Sequence, residues 1–184
     1  MSIQSFVPVN NLLAPVTSGT AVQYFTDVYG EVWIAKNGVQ GGNWIRARDT
    51  LHAICTRNAA FNWSTANSTL PFDTATKDTW GMFASNGFTI PVPGWYRACM
   101  WVWDGGSSTV PLYSQMQITQ NGTAVSSDNN FASSAVSHEN RATALMYCQQ
   151  ADKIAAVGYC NIANVAWHTG YASNRLEISY QGSG

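Results

Sequence analysis

The sequence predicts an all-β protein, a sandwich or jelly roll carrying an extended N-terminal arm, and three observations predict it. Charged residues make up 10% of the 184-residue chain, against about 25% in ordinary globular domains, so the Lys and Glu that fill exposed helix faces are scarce. Short runs rich in Val, Ile, Tyr, Phe and Trp recur between Gly, Asn and Pro turns. The one helix candidate, "SHENRATALMYCQQ" at 137–150, also reads as a strand, because Ala144, Met146 and Cys148 alternate. The strand is preferred, since "QQADKI" then forms a polar turn into "IAAVGYC".

The first 19 residues mix Pro, Asn and apolar side chains without a period. Ile3, Phe6, Val7, Leu12 and Leu13 make this arm too apolar for a solvated tail. They are expected to dock it on a partner surface. Residues 20–49 read as short strands with hairpin-grade turns at Asn37-Gly38 and Gly41-Gly42. The chain thus divides into an arm with short strands at 1–50 and a β-sandwich knob at 51–184. Within the knob the expected strands are 51–61, 69–73, 86–92, 95–103, 111–120, 123–126, 131–136, 141–149, 153–160 and 174–180.

The stretch "TIPVPGWYRACMWVW" organises the knob. Pro91 and Pro93 have no N–H for a sheet ladder, and Gly94 admits a positive φ, so a strand closes here on a rigid corner. The next strand puts Tyr96, Ala98, Met100 and Val102 on one face. Trp95, Arg97, Cys99, Trp101 and Trp103 lie on the other. The first set suits the gap between two sheets. Three tryptophans facing outward need a cover. Sister subunits or the N-terminal arm would supply it, and a subunit contact through Trp95, Arg97, Trp101 and Trp103 is the preferred reading.

Composition excludes several roles. Nine basic and ten acidic residues, without a block of either, give no basic stripe for nucleic acid. No run of about 18 apolar residues is present, so no membrane insertion is expected. "MSIQSFVPVNN" lacks the charged start and apolar segment of a secretion signal. Cys55, Cys99, Cys148 and Cys160 are therefore expected as free buried thiols, although pairing stays open. Their spacing forms no zinc knuckle, and neither a metal nor a cofactor is expected.

From His52 to Tyr180 the chain resembles the C1q/tumour-necrosis-factor-like jelly roll. "HAICTRNAAFN" matches that family's first strand, and Phe72-Asp73 its short Phe-Asp segment. Phe88, Pro91, Gly94 and Tyr96 match its "G-x-F-x-x-P-x-x-G-x-Y" signature, with Asn86 at the first Gly position. "ATALMYCQQADKIAAVGYC" resembles its later hairpin, with Ala151 where the family prefers Gly and Asp152 in the Asp place. "NRLEISYQG" looks like the closing strand. The resemblance implies a homotrimer whose aromatic faces meet at a threefold axis. The architecture recurs in tailed-bacteriophage virion proteins, as fibre knobs, minor tail proteins and capsid decorations. It therefore implies a virion location after assembly in the host cytoplasm, with capsid or tail proteins as further partners.

No catalytic constellation stands out. Ser107, His168 and Asp104 lack a G-x-S-x-G elbow, and His138-Glu139 reads as a solvated turn. An enzyme is not expected. A lectin-like module outside any virion is the alternative. Trp63, Trp80 and Tyr113 are aromatic candidates for it, and Trp167, His168 and Tyr171 cluster in the best loop for a host-surface glycan.

Overall fold

The computed structural model describes residues 22–36, 44–57, 61–103, 112–132, 139–162, 165 and 174–183. The strands run β1 (Gln23–Thr26), β2 (Val32–Ala35), β3 (Ile45–Arg46), β4 (His52–Thr56), β5 (Ser68–Thr69), β6 (Thr74–Asp78) and β7 (Phe83–Ala84). They continue with β8 (Gly87–Thr89), β9 (Gly94–Trp103), β10 (Leu112–Gln120), β11 (Thr123–Ala132), β12 (Glu139–Cys148), β13 (Lys153–Cys160) and β14 (Arg175–Gly182). A one-turn helix, α1 (Ala47–Thr50), precedes β4.

Two antiparallel sheets form a jelly roll. The first has the order β12-β9-β14-β4-β6. The second has the order β11-β10-β13-β8-β7, with β5 also paired to β13. Strand β9 carries the predicted alternation. Tyr96, Ala98, Met100 and Val102 are fully buried and share one core with Met116, Ile118, Ile154 and Ala156 of the second sheet. A third small sheet, β1-β2-β3, packs onto the same core through Val32 and Ile34. Its first turn is closed by Asp27, which accepts hydrogen bonds from the Tyr29 and Glu31 N–H groups and from the Trp33 indole.

The Pro-Val-Pro-Gly corner leads into β9 as expected. Val92 is buried, and its carbonyl accepts the Tyr96 hydroxyl at 2.9 Å. Gly94 has φ +148°, and a Cβ there would run into the Tyr180 ring and the Gly182 carbonyl. Two positions where the resembled family favours Gly hold other residues in the left-handed region: Asn86 at φ 73° and Ala151 at φ 71°. Asn tolerates that region, whereas Ala is strained there.

Several sequence boundaries are corrected. The stretch expected at 123–126 and the start of the one expected at 131–136 belong to one strand, β11, hydrogen-bonded to β10 with a register shift at Ile118/Thr119, while 133–136 lie outside the described residues. The polar run Ser126–Asn130 hid this continuity, because β11 lies at a sheet edge where both faces are partly wet. Of the expected 69–73 strand only Thr69 is in one, at the end of β5; the buried Leu70 and Phe72 lie in the link to β6. The expected strand from 51 ends at Thr56. The turn α1 was not anticipated; its four residues are too few to show a period.

Candidate functional site

The outward face of the first sheet follows from the register of β9. Trp95 lies opposite Tyr147, Arg97 opposite Leu145, Cys99 opposite Thr143, and Trp101 opposite Arg141. On the other side β14 places Arg175 beside Trp101 and Glu177 beside Cys99. Each inward residue of β12 is buried, so the alternation pushes Leu145 and Tyr147 out.

At one end this face is apolar and wet. Trp95 is 39% exposed, Tyr147 40% and Leu145 65%. Trp95 and Tyr147 meet edge to face with centroids 5.7 Å apart. Arg97, also exposed, stands beside Leu145 and Ser179. At the other end Trp101 is half-buried under Arg175, whose guanidinium sits 4.2 Å from the ring centroid. Such stacking keeps the ring partly covered while the cation stays hydrated. Trp103 is also half-buried. The three tryptophans singled out from the sequence therefore share a face but not an environment.

Beyond β14 the face becomes polar. His52 bridges two partners: its Nε2 lies 2.9 Å from Glu177 and its Nδ1 lies 2.7 Å from Lys77. An ammonium only donates, so Nδ1 accepts and Nε2–H donates to Glu177. The imidazole, on β4, is thereby a strut between β6 and β14. The strut borders an open depression of about 590 Å³, which Arg48, Asp49 and Tyr180 also line. Burial pushes the Tyr180 phenol up to about 12, so it stays protonated there.

Among the described residues no three His, Cys, Asp or Glu side chains gather to hold a metal ion. None of their helices is long and apolar enough to cross a membrane. All four cysteines are buried. Burial pushes the Cys55 and Cys148 thiols up to about 12.

The other candidate residues divide cleanly. Ile3, Phe6, Val7, Leu12 and Leu13, and the glycan candidates Trp167, His168 and Tyr171, lie outside the described residues. Trp63 and Trp80 are core residues, at 3% and 2% exposure, and are corrected as sugar candidates. Trp80 also donates to Thr50 at 2.7 Å, tying the turn after β6 to α1. Tyr113 lies half-exposed on the second sheet. Leu145 and Tyr147 were missed, although the alternation with Ala144, Met146 and Cys148 already placed them outward.

No family model matches the chain, and no curated protein matches it. Solved structures do. The globular domain of zebrafish complement 1qA protein is 15% identical, with a TM-score of 0.55, over 70% of this chain and 94% of that one. Murine APRIL, in a crystal structure at pH 5.0, is 10% identical, with a TM-score of 0.53, over 71% of this chain and 98% of that one. The fold is a C1q/TNF-like jelly roll.

Proposed function

We propose that this chain is a non-enzymatic structural protein of a tailed-bacteriophage virion. It forms a homotrimeric jelly-roll knob, docks to capsid or tail proteins through its N-terminal arm, and presents its outer surface to the host. The observation that carries the trimer is the wet apolar cluster of Trp95, Leu145 and Tyr147 on the first sheet, with Arg97 beside it. Large apolar groups gathered on one side of a soluble sheet are characteristic of a surface that is covered in use. Domains of the C1q/TNF fold typically assemble as homotrimers. The low charge of the chain supports a surface shared with copies, since charge is what keeps monomers apart. The apolar arm supports the virion reading, because its side chains need a neighbouring protein to lie against.

Mass in solution tests the trimer. The expected species is about 60 kDa, three times the 20.0 kDa chain; a 20.0 kDa species at micromolar concentration overturns it. Particle assembly tests the virion role. Removing residues 1–19 is expected to leave the knob trimeric and to abolish its incorporation. Full incorporation of the truncated chain removes the arm from the proposal.

A further inference from the structure

The second sheet also has an outward face, and its chemistry is different. Strand β10 runs between β11 and β13. Its outward residues Tyr113, Gln115 and Gln117 pair in register with Phe131, Asn129 and Ser127 on one side. Tyr159 and Val157 pair with Gln115 and Gln117 on the other. None of these eight side chains is charged. The first sheet's outward face, by contrast, carries Arg97, Arg141, Arg175 and Glu177.

The polar groups are already ordered. Asn129 Oδ1 accepts the Tyr113 hydroxyl at 2.8 Å and the Gln115 amide at 2.9 Å. The Gln117 amide donates to Gln115 Oε1 at 3.5 Å. These bonds occupy Asn129 Oδ1 as an acceptor. The Tyr113 and Tyr159 rings lie 6.0 Å apart at 58°. Phe131 stands 65% exposed at the end of the row.

We propose that the Tyr113–Gln115–Asn129–Phe131–Tyr159 face binds a neutral glycan. A sugar presents hydroxyls that donate and accept, as amides and phenols do, and apolar C–H faces that lie on aromatic rings. Amides held by their neighbours lose little freedom on binding. The missing charge argues for an uncharged ligand, because nucleic acids and acidic polymers are held mainly through their anions. The inference gives the outer surface of the proposed knob a ligand. It rests on that reading only for the number of sites, since one chain carries the whole face.

The full chain is titrated with maltoheptaose, cellohexaose and a mannohexaose, with polygalacturonate as the anionic control, while its mass is followed separately. At least one neutral oligosaccharide is expected to bind with a dissociation constant of about 1 mM or tighter. Asn129→Asp keeps the acceptor for Tyr113 and Gln115 but removes the amide donors; with Tyr113→Ala, it is expected to weaken binding about tenfold. Unchanged melting curves establish that both variants are folded. The proposal is overturned if no neutral oligosaccharide binds, if both folded variants bind as the parent does, or if polygalacturonate binds equally well. It is also overturned by a mass above three chains that Phe131→Glu lowers, since the face would then join copies. Glycan binding by a 20.0 kDa species would sustain this site while removing the trimer.

Discussion

The two sheets are alike within and opposite without. Inside, both contribute buried aliphatic and aromatic side chains to one core. Outside, the first sheet combines wet aromatics with arginines, whereas the middle of the second is uncharged and rich in amides. One chain thus presents two surfaces with different needs. An apolar cluster edged by cations gains by being buried against protein, where area and hydrogen-bonded ions both contribute. An ordered amide network suits a wet, reversible contact.

The largest way to break this comparison is to part the two inner faces. Gly158 lies under Trp63 and Leu70, and a Cβ there would run into both side chains. Gly158→Ala is expected to cost about 3 kcal/mol. Urea denaturation reads this loss, and a parent-like midpoint would refute the packing between β13 and the Trp63 segment.

The next test separates the outer faces. Leu145→Glu places a charge inside the proposed subunit contact and is expected to dissociate the trimer, a loss of about 2 kcal/mol or more per contact. Phe131→Glu, equally exposed on the other sheet, should leave the mass unchanged. If both substitutions dissociate the assembly, or neither does, the division of roles between the faces fails.

A smaller effect concerns the end where the sheets are tied together. Asp152 accepts hydrogen bonds from Asn121, Gln120 and the Gln149 N–H. Burial raises its pKa, but these bonds outweigh that and hold it below the ordinary 3.8. A carboxylate with a depressed folded pKa stabilises the protein above its unfolded pKa, and that stability is lost as pH falls through the folded value. Asp152→Asn should therefore melt below the parent at neutral pH, with the gap shrinking under acid conditions. A gap independent of pH would show that the charge contributes nothing.

The smallest effect is chemical. Cys55, Cys148 and Cys160 are fully buried, while Cys99 faces outward at 8% exposure. In the folded parent chain, with the proposed subunit contact formed, a thiol reagent should label none of them quickly. In Leu145→Glu, Cys99 should react first. Rapid labelling of Cys55 or Cys148, both held protonated by burial, would contradict the described core.

Much of the fold was legible in the sequence. β9 could be read because two prolines fix its start and apolar residues alternate with outward ones along it. β13 could be read because a polar turn precedes a continuous apolar run. β11 could not, since Ser, Asp and Asn in an edge strand look like a loop until hydrogen bonds to β10 are seen. The candidate surfaces were legible by half. Trp95, Trp101 and Trp103 came from their own strand, but Leu145 acquires meaning only beside Arg97, and Phe131 only beside Tyr113. Those pairings join residues far apart in the chain, and one strand's periodicity does not contain them.

Strand β14 occupies the middle of the first sheet, between β9 and β4, although both of those strands come far earlier in the chain. Until β14 docks, β9 and β4 have no ladder to join them. The sheet must therefore close from its centre through a long-range pairing. Such closure is slow, and a chain lacking β14 would have a gap in the sheet itself rather than a missing edge.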